Sequence, residues 1–183
     1  MKHLMLIVDD FEDVEALATM DVLLRGKEEV DLVSLMGRKE IKSKCGRKIT
    51  LDKEISEINY KIYDSVILPG GPGSFKIMAY IPIVNDIINY FMKEHKLVSA
   101  ICAAPMIIGK LHYLENKNFT VHPGFENYCY NGNYLKHLGV VRDDNIITAK
   151  SMYYSISFGL EIYEYFYGKE KRIALENACK GEK

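Results

Sequence analysis

The hydrophobic positions of the chain follow two alternating patterns. Short apolar runs, typical of strands that are buried on both faces, occur at residues 4–8, 30–35, 63–68 and 97–101. Between and after these runs, apolar residues recur at helical spacing, in residues 14–25, 83–94 and 155–167. Buried strands that alternate with amphipathic helices predict a mostly parallel sheet with helices on both faces.

The remaining segments predict smaller elements. Residues 40–51 alternate in polarity around a glycine and predict two short strands or a hairpin, and residues 51–55 begin an irregular stretch. A helix is expected at 103–114, a short strand at 119–121, and two strands joined by a turn over 140–149. Residues 169–178 extend or follow the last helix.

Length and composition indicate an ordinary globular protein. A chain of 183 residues is most economically a single domain, residues 1–183, and hydrophobic and charged contents of 48% and 27% fit that class. The net charge of −1 gives no reason to expect binding to nucleic acid or to an anionic membrane. The basic stretch 38–48 is interpreted as a solvated strand edge.

The chain carries no targeting or cysteine pattern that changes this picture. No segment reaches the length of about 20 apolar residues that a membrane span needs, and the N-terminal residues lack the pattern of a signal peptide. Four cysteines without a CxxC pair predict neither a metal site nor a disulfide framework. A cytoplasmic protein with reduced thiols is therefore expected.

Chemically versatile residues follow the predicted strands. Acidic residues occupy positions 9–15, a glycine-rich loop occupies 69–73, and Cys102 and His122 each follow a strand. Because ligands of parallel sheets bind outside the carboxyl ends of the strands, we expect these groups to converge on one rim.

Cys102 is the strongest candidate for a reactive group. An apolar run delivers it to the small residues Ala103 and Ala104, and Pro105 suits the first turn of a helix. A helix N-terminus stabilises a thiolate, and the arrangement is similar to a nucleophile elbow with cysteine in place of serine. An inert cysteine that fills space at a strand end fits these local features equally well.

The other candidates each have a structural alternative. Glu15 lies among apolar residues, where burial beside a thiolate raises a carboxyl pKa and allows acid–base work, whereas acids at a helix start commonly only complement its dipole. His122 precedes a proline and is either a partner of the thiol or structural. Gly70 and Gly71 either present amides to an oxyanion or simply form a turn.

Four motifs together carry a resemblance to a known family. They are residues 11–15 (FEDVE), 68–71 (LPGG), 100–105 (AICAAP) and 122–123 (HP), and their order and spacing resemble the ThiJ/PfpI superfamily, in particular the branch of the parkinsonism-associated protein deglycase. The resemblance implies a flavodoxin-like three-layer α/β sandwich of the class I glutamine amidotransferase type, usually a homodimer. Arg47 lies in a segment that resembles a dimer-contact region of the family.

The resemblance also implies roles for individual residues. Cys102 would be the nucleophile and Glu15 a protonated carboxyl partner of its sulfur. His122 would be a nearby, less tightly coupled group, and the amides of Gly71 and Ala103 would form an anion pocket. No cofactor and no metal are implied.

The leading hypothesis is a glyoxalase or deglycase that acts on methylglyoxal or on its protein or nucleotide adducts. Cys102 would attack the aldehyde, and Glu15 would then move a proton between adjacent carbons through an enediol. The second hypothesis is an oxidative-stress sensor or holdase chaperone, switched by oxidation of Cys102 to the sulfinic acid. A cysteine peptidase or an amidotransferase-like hydrolase comes third, since alanine follows Cys102 where the peptidase branch has histidine.

Two departures from the family pattern concern the surroundings of the pocket. The branch often has glycine at the position of Ala104. It also often has a glycine-proline turn where this chain has residues 151–154 (SMYY). The second departure leaves the shape of the pocket and the identity of the substrate open.

Overall fold

Strands and helices alternate along most of the chain in the computed structural model, which describes residues 1–182. In chain order, the strands of this part are β1 (Lys2–Ile7), β2 (Glu29–Ser34), β3 (Glu40–Lys42), β4 (Lys48–Thr50), β5 (Lys53–Glu54), β6 (Ser65–Leu68), β7 (Leu97–Ile101), β8 (Asn118–Phe119), β9 (Asn133–Tyr134), β10 (Val140–Asp143) and β11 (Ile146–Ala149). The α-helices are α1 (Asp13–Arg25), α2 (Pro72–Lys76), α3 (Pro82–Lys93), α4 (Pro105–Lys110) and α5 (Ser155–Lys180).

A seven-stranded sheet forms the centre, in the order β10-β11-β7-β6-β1-β2-β5. Its neighbours pair in parallel except for β10 and β11, which form an antiparallel edge. The strands β3 and β4 form a separate antiparallel hairpin, and β8 pairs with β9. The predicted mostly parallel, flavodoxin-like α/β fold is confirmed.

Successive residues of the central strands serve two different cores. In β1, Leu4 and Leu6 pack into the core that contains α3 and α4, whereas Met5 and Ile7 pack into the core that contains α1 and α5. The same alternation occurs in β6 and β7. Because side chains of a strand point to opposite faces in turn, strands covered by helices on both sides must be apolar throughout. This is the origin of the continuous apolar runs.

The structure differs from the expected elements in three places. Strand β5 extends the sheet beyond β2, although two polar residues gave no strand pattern. Helix α2 begins within the glycine-rich loop. Helix α4 starts at Pro105 rather than at residue 103 and ends at Lys110, so it is only six residues long. Residues 169–178 extend the last helix, one of the two expected arrangements, because α5 continues past a kink at Gly168, where φ is 80°.

The order of the strands creates a crevice beside β1. The chain runs from β1 outward to β2 on one side and continues from β6 through β7 to β11 on the other. Loops that leave the carboxyl ends of β1 and β6 therefore diverge and leave space for a ligand. Among the helices of residues 1–182, none combines the length and the apolar character that a membrane crossing requires.

Candidate active site

Cys102 directly follows β7 and has an unusual backbone conformation. Its φ is 64°, in the left-handed region that residues other than glycine rarely adopt. The conformation is held on both sides, because the Cys102 amide donates to the carbonyl of Ala149 (2.9 Å) and the Cys102 carbonyl accepts from the amide of His122 (2.8 Å). A strained backbone held by its neighbours is typical of residues with a functional role.

Glu15 lies on the first turns of α1 and points into the crevice. It is 1% exposed, and its Oε2 accepts a hydrogen bond from the amide of Gly70 (2.9 Å). Its carboxyl group is also a hydrogen-bond partner of the Cys102 thiol. Helix α1 therefore delivers one buried acid directly to the sulfur.

Gly70 makes this contact possible. A Cβ atom at this position would lie 2.5 Å from Cys102 Cβ and 2.5 Å from Glu15 Oε2, closer than real Cβ contacts. Gly71 is constrained in another way, because its φ is 91° and a Cβ atom there would meet the Glu12 amide at 2.5 Å. The glycine-rich loop thus lets the ends of β1, β6 and β7 approach closely.

The two acids of the site share one buried environment. Burial is the main reason that the pKa of Glu15 is raised from 4.5 to about 7, against the opposing effect of its hydrogen bonds with Cys102 and Gly70. Burial, followed by repulsion from the Glu15 carboxylate, likewise raises the pKa of Cys102. The two groups are therefore coupled, because ionisation of Glu15 disfavours ionisation of the Cys102 thiol.

Backbone amides are the groups that favour a negative charge on the sulfur. The amides of Gly71 and Ala103 both act to lower the pKa of Cys102. The predicted stabilisation of the thiolate by a helix N-terminus is weak, because α4 begins three residues after Cys102 and is short. Two individual amides replace the helix N-terminus as the anion-stabilising element.

His122 lines the same cavity, but its ring is directed elsewhere. The side chain is exposed, its Nδ1 is within 3.0 Å of the carbonyl oxygen of Pro123, and its ring packs edge-on against Phe125. Within residues 1–182 no side-chain hydrogen bond joins His122 to Cys102. The histidine is connected to the cysteine through the backbone.

The site opens into a cavity of about 160 Å³. Its walls consist of Glu12, Lys44, Gly71, Pro72, Phe75, Cys102, Ala103, His122 and Phe125. The predicted residues Cys102, Gly71, Ala103 and His122 are brought together here, with Glu15 buried behind Cys102. Residues 151–154 form a turn before α5 and do not contribute to this lining.

Three lining residues, Lys44, Phe75 and Phe125, were not predicted as parts of the site. Lys44 belongs to the basic stretch that we interpreted as a solvated edge; it is exposed as expected, but it also pairs with Glu12 at the cavity wall, which that interpretation did not include. Phe75 and Phe125 form an aromatic wall with their ring centroids 5.0 Å apart. Their positions depend on tertiary packing, and no local pattern marks them.

One group of potential metal ligands lies beside the cavity. Donor atoms of Glu12, Asp13 and Cys45 are within 4.8 Å of one another. The Glu12 carboxylate is already paired with Lys44, and Asp13 accepts the amide of Cys45 (3.3 Å). The chemistry of the cavity is accordingly that of a thiol, a carboxyl group and backbone amides.

Comparisons with known proteins identify the family of the chain. The sequence profile described as the DJ-1/PfpI family matches residues 1–165. Protein DJ-1 homolog B of Arabidopsis thaliana is 31% identical over 94% of this chain, which spans only 39% of that relative's length. The glutathione-independent glyoxalase DJR-1.2 of Caenorhabditis elegans is 32% identical over 91% of this chain and 89% of its own.

A further relative and a solved structure complete the comparison. The putative cysteine protease YraA of Bacillus subtilis is 27% identical and covers 82% of this chain and 89% of its own. The crystal structure of Drosophila melanogaster DJ-1beta has a TM-score of 0.90 and 28% identity, covering 97% of this chain and 96% of its own. The sequence profile and the fold lead to the same assignment: the chain belongs to the DJ-1/PfpI family.

Proposed function

We propose that the chain is a cysteine-dependent enzyme that converts 2-oxoaldehydes such as methylglyoxal, free or as protein or nucleotide adducts, into 2-hydroxy acids without a cofactor. One observation carries the proposal: the buried Glu15 carboxyl is a hydrogen-bond partner of the Cys102 thiol, beside the amides of Gly71 and Ala103. The name of the Caenorhabditis elegans relative, a glutathione-independent glyoxalase, supports the same chemistry.

The first step joins the sulfur to the aldehyde. As Cys102 Sγ attacks the carbonyl carbon, a C–S bond forms, the π bond of the carbonyl breaks, and the Glu15 carboxylate takes the thiol proton. The amides of Gly71 and Ala103 hold the developing alkoxide, which then receives that proton to give a hemithioacetal. The raised pKa of Glu15 suits a group that must both take and return a proton near neutral pH.

The second step moves hydrogen within the bound molecule. The Glu15 carboxylate removes the proton from the carbon attached to sulfur and returns it to the neighbouring carbon, through an enediol. In the same conversion, the hydroxyl proton of the hemithioacetal passes from the former aldehyde oxygen to the former ketone oxygen. The former aldehyde carbon is oxidised to a thioester while the ketone carbon is reduced to an alcohol, so no external oxidant or reductant is needed. Water then cleaves the thioester and releases the 2-hydroxy acid, lactate in the case of methylglyoxal.

Replacing the sulfur tests this proposal directly. We expect Cys102→Ser to abolish lactate formation from methylglyoxal, because a serine hydroxyl beside one carboxyl is a far weaker nucleophile. Glu15→Gln should also lose turnover, because the proton transfer between the two carbons needs the carboxylate. Cys102 should still add to the aldehyde in this variant, because loss of the Glu15 charge lowers the pKa of the thiol, and mass spectrometry detects the adduct. Full lactate production by Cys102→Ser would disprove the mechanism.

The second candidate function is a redox switch or holdase chaperone based on the same cysteine. It is favoured by the half-buried sulfur and by Glu15, whose protonated carboxyl can donate to a sulfinate. A gain of about 32 Da at Cys102 after mild peroxide, the mass of two oxygen atoms, together with negligible turnover of methylglyoxal, would favour the sensor. Turnover without such selective oxidation would favour the enzyme.

A cysteine hydrolase is the third candidate, and the geometry gives it the least support. Such an enzyme needs a histidine aligned with the nucleophile, whereas the Nδ1 of His122 faces the carbonyl of Pro123. The name of the Bacillus subtilis relative, a putative cysteine protease, is the observation that favours this candidate. Hydrolysis of peptides that depends on both Cys102 and His122 would establish it.

The proposal includes a homodimer and a cytoplasmic location. Apolar side chains are exposed on α1 and around the start of α5, namely Val14, Met152, Tyr153 and Ile156. A bond from Thr19 Oγ1 to the carbonyl of Ser155 (3.4 Å) joins the two helices, and we propose that the exposed side chains near their first turns form the dimer contact. Four free cysteines suit a reducing compartment.

A further inference from the structure

Lys44 is held over the cavity by a rigid part of the fold. It lies in the turn between β3 and β4, and its amide donates to the carbonyl of Phe11 (2.9 Å). The carbonyl of Lys42 in β3 accepts from the amide of Asp10 (2.8 Å). The hairpin is thus bonded to the segment that leads from β1 into α1, and its turn has a defined position beside Cys102.

The two partners of the ion pair between Lys44 and Glu12 differ in their exposure to solvent. The Glu12 side chain is 11% exposed, whereas that of Lys44 is 49% exposed. The negative group therefore lies beneath the surface and the positive group faces the cavity and the solvent. An ammonium group has three donors, and the bond to Glu12 uses one of them.

The rest of the wall contains little to compete with Lys44. Phe75, Phe125 and Pro72 contribute an apolar part of the same lining. Among the described residues of the lining, Lys44 is the only lysine or arginine, and Glu12 is the only acid. The groups that face Glu15 behind this wall are Cys102, Glu12 and Lys44.

We infer that Lys44 selects ligands of Cys102 that carry a carboxylate, so that the preferred substrates of the proposed activity are 2-oxoaldehydes with a carboxylate on their side chain. The inference rests on the proposed function for its reaction, but the charge selection itself does not require turnover. A monoanion fits better than a dianion, because Glu12 neutralises part of the charge of Lys44 and repels a second negative group.

Two isosteric thiol reagents test the charge selection. Iodoacetate and iodoacetamide alkylate a cysteine by the same reaction, with loss of iodide, and differ in one negative charge. We expect Lys44→Met to reduce the ratio of the two alkylation rates at Cys102 by about three- to tenfold, as the loss of one unit charge at close range implies. Mass spectrometry of the Cys102 peptide over time measures both rates, and iodoacetamide corrects for any change in the thiol itself.

Two control variants separate charge selection from a structural role. Lys44→Arg keeps the positive charge and should retain most of the ratio. Lys42→Met removes an exposed cation from the same hairpin, outside the cavity lining, and should leave the ratio unchanged. An unchanged ratio in Lys44→Met, or an equal fall in Lys42→Met, would overturn the inference.

A second measurement concerns the substrate class. The ratio of kcat/KM for a 2-oxoaldehyde with a carboxyethyl chain to that for one with a propyl chain should exceed one in the parent protein. It should fall about three- to tenfold in Lys44→Met. If neither compound is turned over while the alkylation ratio still depends on Lys44, the proposed function fails and charge selection stands. If the parent protein turns over both compounds at equal rates, the inferred preference for substrates with a carboxylate is wrong.

Discussion

At the scale of single residues, Glu15 has a folded-state pKa that makes stability depend on pH. Its pKa of about 7, against an ordinary 4.5, means that the folded protein keeps a proton that the unfolded chain releases between these values. The contribution of Glu15 to stability is therefore fully present below about pH 4.5, decreases as the pH rises to about 7, and stays at its lower value above that.

Glu15→Gln should remove this pH dependence. The amide oxygen can still accept from the Gly70 amide, but no proton is released. We expect the variant to be more stable than the parent by on the order of 2 kcal/mol at about pH 8, with the difference vanishing near pH 4. Urea unfolding at the two pH values measures this, and a constant difference at both would contradict the assigned cause.

Gly70 leaves no room for a side chain between Cys102 and Glu15. A methyl group there would press on both Cys102 and Glu15. We expect Gly70→Ala to lose lactate formation and to destabilise the protein by about 1–3 kcal/mol, the usual cost of overpacking. Kinetics and thermal unfolding together check this.

Gly37→Ala is the matched control for Gly70→Ala. Gly37 has open space around it and a φ of +65°, so the substitution strains the backbone without crowding the site. It should lower the melting temperature while preserving turnover. Retained activity in Gly70→Ala would show that Cys102 and Glu15 can separate without loss of function.

At the scale of elements, the hairpin of β3 and β4 completes the cavity wall. Asp9 Oδ1 accepts the amide of Lys42 (2.9 Å), and the Asp9 carboxylate also pairs with Arg38. Both bonds fasten the hairpin to the end of β1. The position of Lys44 therefore depends on the side chain of Asp9, which lies in the loop that follows β1.

Asp9→Ala should loosen the hairpin without unfolding the sheet. We expect faster hydrogen exchange at the amides of Lys42 and Lys44, and a loss of unfolding free energy of about 1–2 kcal/mol, since hydrogen bonds to a charged acceptor are lost. Exchange measured by mass spectrometry or NMR gives the result. Unchanged protection in the hairpin would mean that packing, and not Asp9, holds it.

The central elements of the fold followed from the sequence, whereas the hairpin's placement did not. Strands with apolar residues on both faces give an unambiguous pattern, and parallel strands bring the residues after them to one rim, which is why Cys102, Gly71 and His122 were expected to meet. Which side of the sheet a hairpin covers depends on long-range bonds such as that between Asp10 and Lys42. No local periodicity encodes such a bond, so the position of Lys44 beside the cavity was not predicted.

At the scale of the whole molecule, the exposed apolar patch on α1 and α5 bears on assembly. Tyr153 is 81% exposed and Ile156 is 54% exposed, unusual values for large apolar side chains. We expect the parent protein to sediment as a dimer and Ile156→Asp to sediment as a monomer at micromolar concentration, because a buried unpaired charge disfavours association.

Ile62→Asp serves as the control for the dimer experiment. Ile62 is 58% exposed, similar to Ile156, but lies in a turn before β6 rather than on α1 or α5. This variant should sediment like the parent. Dissociation by both substitutions, or by neither, would place the contact surface elsewhere.

The left-handed backbone conformation of Cys102 affects which residues evolution can place at this position. Glycine adopts a φ of 64° without the strain that a cysteine carries, which is of order 1 kcal/mol. Exchange of Cys102 for glycine would relieve this strain, whereas the greater freedom of glycine in the unfolded chain opposes the exchange. On the proposed function, selection for the chemistry of the thiol is what keeps a strained residue at this position.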